Sequence, residues 1–264
     1  MCTVAVSLEP GDPVPLLLLG IRDEFTGRPW RPPARHWPGS PLIGGIDEQA
    51  GGTWLAVHPG PPRVACILNG RGEFAPPDRR ESRGGLPLRA AAEGHRALRD
   101  LGHAQDTLAD YDPFHLLCAD MDEALLLSWD GREAVLTELG PGTHLLTNAG
   151  HMYPPTSANQ LKPTDDKAAR FGPEFAARRP SGDPDATLTD AWKDWLALAE
   201  AGDLDGDGQL GDIIVRRELP DGRIYGTTSV SLVALARDGA GRRLRYDFLP
   251  EPADPSAWYQ VDTA

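Results

Sequence analysis

The sequence predicts an α+β fold in which antiparallel sheets are covered by helices. Three observations carry this. Short apolar runs bounded by Gly, Pro and Asp recur, and successive runs are separated by only a few turn-forming residues, which is the pattern of hairpins. Helical periodicity shows in only a few longer segments. No repeat and no interior linker divides the chain, so residues 1–264 read as a single domain.

Taken in order, residues 3–8 and 16–21 are apolar runs joined by Glu9-Pro10-Gly11-Asp12-Pro13, an N-terminal hairpin with a turn-rich loop. Residues 53–57 and 64–68 flank His58-Pro59-Gly60-Pro61-Pro62 as a second hairpin, and 114–119 and 124–129 flank Asp120-Met121-Asp122 as a third. Residues 134–139 follow the turn Asp130-Gly131 and extend that meander. A fourth hairpin joins 229–236 to 243–249 across Asp238-Gly239-Ala240-Gly241. Residues 86–101 carry Leu86, Ala90, Ala97, Leu98 and Leu101 at helical spacing and stop at Gly102. Thr187-Leu188-Thr189-Asp190 resembles a capping box opening a helix with the stripe Leu188, Trp192, Trp195, Leu196 and Ala199. Residues 162–183 are polar, with a short helix expected over 165–170 before Pro173. The tail 251–264 is rich in Pro and Asp and reads as loosely packed, with Trp258 and Tyr259 to dock it.

A net charge of −13 argues against nucleic acid or an anionic membrane as partner. The Gly, Pro, Ala, Arg and Asp bias fits a GC-rich, bacterial coding sequence. The apolar run Val14-Pro15-Leu16-Leu17-Leu18-Leu19 is too short to span a membrane and has no basic segment before it, so a cytoplasmic location is expected. Three cysteines, Cys2, Cys66 and Cys118, lie far apart without a CxxC pair, which predicts neither a zinc site nor a disulfide framework. Cys66 and Cys118 sit in apolar runs and are expected to be buried thiols.

Cys2 directly follows Met1. Removal of that methionine would leave a thiol and a free α-amine on one residue. An α-amine titrates at about 7.7–8.0 and a thiol at about 8.5, so the amine can act as base for its own nucleophile. Position alone does not distinguish this from the plain start of a strand. Further along lie Arg22-Asp23-Glu24-Phe25 with Arg28-Pro29, then Gly51-Gly52-Thr53-Trp54-Leu55, Asn69, Ser82-Arg83-Gly84-Gly85, Leu146-Thr147-Asn148, and Tyr225-Gly226-Thr227-Thr228.

In that order these residues resemble the transport and Golgi organisation 2 family, also called the NRDE proteins after an Asn-Arg-Asp-Glu motif. The resemblance runs over most of the chain and is strongest in the first 70 residues. It implies the architecture of the N-terminal-nucleophile hydrolases, a four-layer αββα sandwich of two stacked antiparallel sheets. It also implies roles: Cys2 as nucleophile on an amide carbonyl, Asp23 orienting the amine or thiol, and Asn69 and Asn148 binding substrate or the developing oxyanion. Arg22, Trp54 and Thr228 fall at binding positions. Two residues depart from the family pattern. Ile21 stands where the motif has Asn and makes no side-chain hydrogen bond. Thr228 stands where many relatives have Arg, so a fixed cation is missing there. Two readings therefore stay open: an amidohydrolase acting on a small non-peptide or peptide amide, and a non-catalytic carrier of a hydrophobic ligand such as haem or an acyl thioester.

No cofactor and no metal are expected for the first reading. Under the second, His36, His58, His144 and His151 are the haem candidates, none singled out; no two histidines stand at ligand spacing in sequence. Asp203-Leu204-Asp205-Gly206-Asp207-Gly208 has the start of a calcium loop, but its twelfth position is Ile214 rather than Glu, so a solvated acidic loop is the reading. Trp30, Trp37 and Trp54 are expected in the core.

Overall fold

The computed structural model describes residues 3–155, 166–199, 213–238 and 241–264. Cys2 and the acidic loop at 203–208 lie outside them. The chain opens with β1 (Thr3–Leu8) and β2 (Leu16–Phe25), followed by β3 (Trp30–Ala34), β4 (Ile43–Asp47), β5 (Leu55–Pro59) and β6 (Pro62–Asn69). Three helices come next, α1 (Leu86–Glu93), α2 (His95–Gly102) and α3 (Gln105–Leu108). Then follow β7 (Phe114–Ala119), β8 (Ala124–Trp129), β9 (Ala134–Leu139), β10 (Gly142–Thr147) and β11 (Gly150–Tyr153). Helices α4 (Asp166–Ala177) and α5 (Leu188–Ala199) precede β12 (Arg216–Glu218), β13 (Ile224–Asp238), β14 (Gly241–Leu249) and β15 (Tyr259–Gln260).

These elements form two compact units, each discontinuous in sequence. The first takes Met1–Arg28, Pro141–Thr147 and His151–Asp262. Its antiparallel sheet has the order β11-β10-β1-β2-β13-β14-β15, with β12 also pairing β13. Helices α4 and α5 cover one face: Phe171, Phe175, Trp192 and Trp195 pack with Ala5, Leu17, Leu19, Ile21, Val230 and Leu232. Strand β1 is buried along its whole length, the hydroxyls of Thr3 and Ser7 included. The second unit is built mainly from Pro29–Gly140. Its sheet runs β3-β4-β5-β6-β7-β8-β9 in strict sequence order, a meander, and α1 and α2 lay Leu86, Ala90, Leu98 and Leu101 on Ala65, Ile67, Leu116 and Leu127. Two antiparallel sheets, each with a helix layer, give the α+β class expected from the sequence.

Several boundaries differ from expectation, each for a local reason. The helix expected over 86–101 is two helices, because Gly94 breaks it at φ 75° and ψ −157°. Arg63 Nη1 fills the break, donating to the carbonyls of Ala91 at 2.8 Å and Ala92 at 3.3 Å near the end of α1. Helix α4 runs through Pro173 instead of stopping before it. An interior proline costs about 3 kcal/mol, while burying the two side chains Phe171 and Phe175 contributes about 1.5–3 kcal/mol each. Strands β3 and β4 carry Pro32-Pro33 and Gly44-Gly45, residues that read as loop. In the fold those glycines are close-approach positions: a Cβ on Gly44 would lie 2.4 Å from the Leu55 carbonyl oxygen, and one on Gly45 would lie 2.3 Å from the Trp54 ring. Thr187 opens α5 as predicted, its Oγ1 accepting the Asp190 N–H at 3.2 Å. The tail docks through β15 on β14 and through Val261 N–H to the Tyr246 carbonyl at 2.8 Å.

Candidate active site

In the first unit, polar side chains gather where β2 and β13 meet. Thr3 on β1 stands opposite Ile21 on β2, and the next residues of β2, Arg22 and Asp23, stand opposite Ser229 and Thr227 of β13. Thr228 is the extra residue of a β-bulge between them. The bulge turns two successive hydroxyls toward two successive charges. Thr227 Oγ1 donates to Asp23 Oδ1 at 2.6 Å and accepts the Val215 N–H at 3.0 Å. Arg22 Nη1 donates to Thr228 Oγ1 at 2.8 Å, and that hydroxyl donates to the Arg22 carbonyl at 3.1 Å. Arg22 is 3% exposed and Asp23 6%, so neither is the solvated strand end that an Arg-Asp-Glu run ordinarily makes. Ser229, 1% exposed, has an Oγ with no hydrogen-bond partner among the described residues. Lys167 of α4, also buried, donates to Thr3 Oγ1 at 3.3 Å.

The two departures from the family pattern acquire a structural meaning here. Ile21 lies in the core cluster beneath α4 and α5, on the opposite face of β2 from Arg22. Its apolar side chain therefore packs, and the Arg22 face is left as it was. Thr228 supplies no cation, but it anchors one: the guanidinium of Arg22.

The remaining predicted residues belong to the second unit. Asn69 ends β6, exposed, opposite Phe114 of β7. Asn148 lies in the turn after β10, half-buried. The turn containing Asn148 approaches β7, since a Cβ on Gly150 would lie 3.2 Å from Cε1 of His115. His115 follows Phe114, the cross-strand partner of Asn69, so strand alternation turns it to the opposite face of the sheet from Asn69. That histidine is buried with Nδ1 2.9 Å from Ser128 Oγ, and the sequence hid it inside an apolar run. Trp54 is buried, edge-on to Trp30 with ring centroids 5.8 Å apart. The glycines of the Gly51-Gly52 and Gly84-Gly85 motifs are architectural: Thr53 N–H bonds the Gly84 carbonyl at 2.9 Å, and a Cβ on Gly52 would meet the Gly84 backbone at 2.3 Å.

Cys66 and Cys118 are buried as predicted, and burial pushes both thiols up to about 12. His144 and His151, seven residues apart, are brought together by the β10–β11 hairpin, with Nδ1 and Nε2 3.1 Å apart. His36 bonds the Pro32 carbonyl at 2.8 Å, and His58 Nδ1 accepts the Gly60 N–H at 3.1 Å.

The model of the family described as Transport and Golgi organisation 2 matches residues 1–244. The chain belongs to that family. No curated protein matches it. Within this family member the matched stretch contains Arg22, Asp23, Asn69, Asn148, Thr227 and Thr228, and it ends inside β14. No helix among the described residues is long and apolar enough to cross a membrane.

Proposed function

We propose that this Transport and Golgi organisation 2 protein is a cysteine amidohydrolase of the N-terminal-nucleophile type, acting on a small amide. The observation that supports this most is the buried Arg22–Asp23 pair, held by the Thr227 and Thr228 hydroxyls just beyond the residue that faces Thr3. Burying a carboxylate and a guanidinium is costly unless both are hydrogen-bonded, and here each has a hydroxyl partner on β13. After Met1 is removed, the α-amine of Cys2 accepts the thiol proton as Sγ attacks the amide carbon. The tetrahedral intermediate collapses when that proton passes to the leaving nitrogen, releasing an amine and forming an acyl thioester. Water, deprotonated by the same amine, then attacks the thioester carbon and regenerates the thiol. Asp23 orients the amine. Arg22 supplies fixed positive charge near the carbonyl oxygen.

The test uses intact mass and thiol labelling on the native protein. Cys66 and Cys118 are fully buried with thiols raised to about 12, so alkylation near pH 8 reads Cys2 alone. The expected results are a mass lacking Met1, rapid single-site labelling, and an acyl adduct on incubation with small amide substrates that disappears in Cys2→Ala. Met1 retained in protein from its native host, or a Cys2 that labels no faster than a free thiol, would overturn the proposal.

A further inference from the structure

The histidine pair on β10 and β11 lies apart from the Arg22–Asp23 bulge. His144 stands opposite Val6 on β1, three residues along from the Thr147–Thr3 pair, or about 10 Å along the strand. Its neighbour Leu145 packs into the core under α4 and α5, so His144 faces away from the helices and is itself buried. His151 sits on β11, the edge strand of the sheet, and is half-buried. The rings are tilted 48° rather than stacked, and Nδ1 of His144 faces Nε2 of His151 at 3.1 Å.

We propose that His144 Nδ1 and His151 Nε2 form a two-histidine chelate for a divalent transition-metal ion of the zinc, nickel or copper type. Metal–nitrogen bonds of about 2.0–2.1 Å set their two nitrogens about 2.9 Å apart at a square-planar angle and about 3.3 Å apart at a tetrahedral one. The observed 3.1 Å falls between these, so the pair is preset at the bite distance. The ring of His151 also hydrogen-bonds the backbone of Tyr153. With Nε2 turned to His144, that bond belongs to Nδ1–H, which leaves the lone pair on Nε2, the second-shell arrangement of metal-bound histidines. Among the described residues no group of three or more His, Cys, Asp and Glu converges, so water or a small exogenous ligand completes the coordination sphere at the sheet edge. Calcium and magnesium, which take oxygen ligands, are not expected to bind here.

Calorimetric titration of the full chain with Zn2+, and absorption spectra with Co2+, test the site. The expected result is one ion per chain, with affinity reduced at least ~10-fold in His144→Gln and in His151→Gln and retained in His36→Gln and His58→Gln. His151→Gln lies on the half-buried edge and keeps the assay informative if the His144 variant fails to fold. The proposal fails if zinc affinity is unchanged in His151→Gln. It also fails if the cobalt complex shows thiolate charge transfer, which would place the ion on a cysteine, or if no saturable binding occurs.

Discussion

Replacing Thr228 by Val asks whether the bulge hydroxyl holds Arg22 in place. Val keeps the β-branched shape and removes only Oγ1. Two hydrogen bonds go with it: Arg22 Nη1 to Oγ1 at 2.8 Å, and Oγ1 to the Arg22 carbonyl at 3.1 Å. A hydrogen bond to a charged group contributes about 1.5–3 kcal/mol and a neutral one about 0.5–1.5 kcal/mol. At 3% exposure, water does not readily replace the lost acceptor at the guanidinium. The expected destabilisation is about 2–4 kcal/mol, or a fall in Tm of roughly 5–15 °C for a chain of this size. Thermal unfolding followed by tryptophan fluorescence measures it, and the rate of Cys2 alkylation is read on the same samples. Thr228→Ser, which keeps the hydroxyl, should recover most of the stability and the labelling rate. Thr228→Arg should not, because a second guanidinium about 4 Å from Arg22 adds repulsion of about 4 kcal/mol at an effective dielectric of about 20. A Thr228→Val protein within about 0.5 kcal/mol of wild type would refute the claim that Arg22 depends on this hydroxyl.

Asp247→Asn should be among the most damaging single changes. It removes the carboxylate that accepts Arg245 Nε at 2.6 Å and Trp192 Nε1 at 2.8 Å. Arg245 then stays buried without its counter-charge, at a cost of about 3–5 kcal/mol in urea unfolding. Gly52→Ala drives a Cβ into the Gly84 backbone and should cost about 1–3 kcal/mol, visible as a lower Tm, with the two glycine motifs forced apart. The depressed pKa of His151 also makes stability pH-dependent. Its folded value of about 4 lies below the usual 6.5, so the unfolded chain binds the proton first. The neutral ring's contribution is full above pH 6.5 and is lost as pH falls toward 4, by at most about 1.4 kcal/mol per unit and less given the ring's partial exposure. Urea midpoints at pH 7.5 and 5 should differ less in His151→Gln than in wild type.

How much of the fold was legible depends on whether a segment's own residues decide its conformation. The hairpins at 3–21, 53–68, 114–129 and 229–249 could be read because apolar runs of strand length meet Gly-, Pro- and Asp-rich turns. Strands β3 and β4 could not. The Gly44-Gly45 pair of β4 is dictated by what approaches it, the Leu55 carbonyl and the Trp54 ring, and local propensity carries no trace of such a neighbour. The same holds for Pro173, tolerated inside α4 because two phenylalanines beside it are buried.

By itself the sequence determined the α+β class, the family and the order of its motifs, since each rests on residue type and spacing along the chain. Only the tertiary structure decided what those motif residues do. It buried Arg22 and Asp23 and joined them to Thr227 and Thr228, some two hundred residues away, through the β2–β13 register and its bulge. It turned Ile21 into the core, made the paired glycines points of backbone contact, and closed His144 on His151 across a hairpin. The physical reason is common to all four. Hydrogen bonds and close packing act over about 3–4 Å in space, and strand register brings within that range residues that nothing in the linear chain connects.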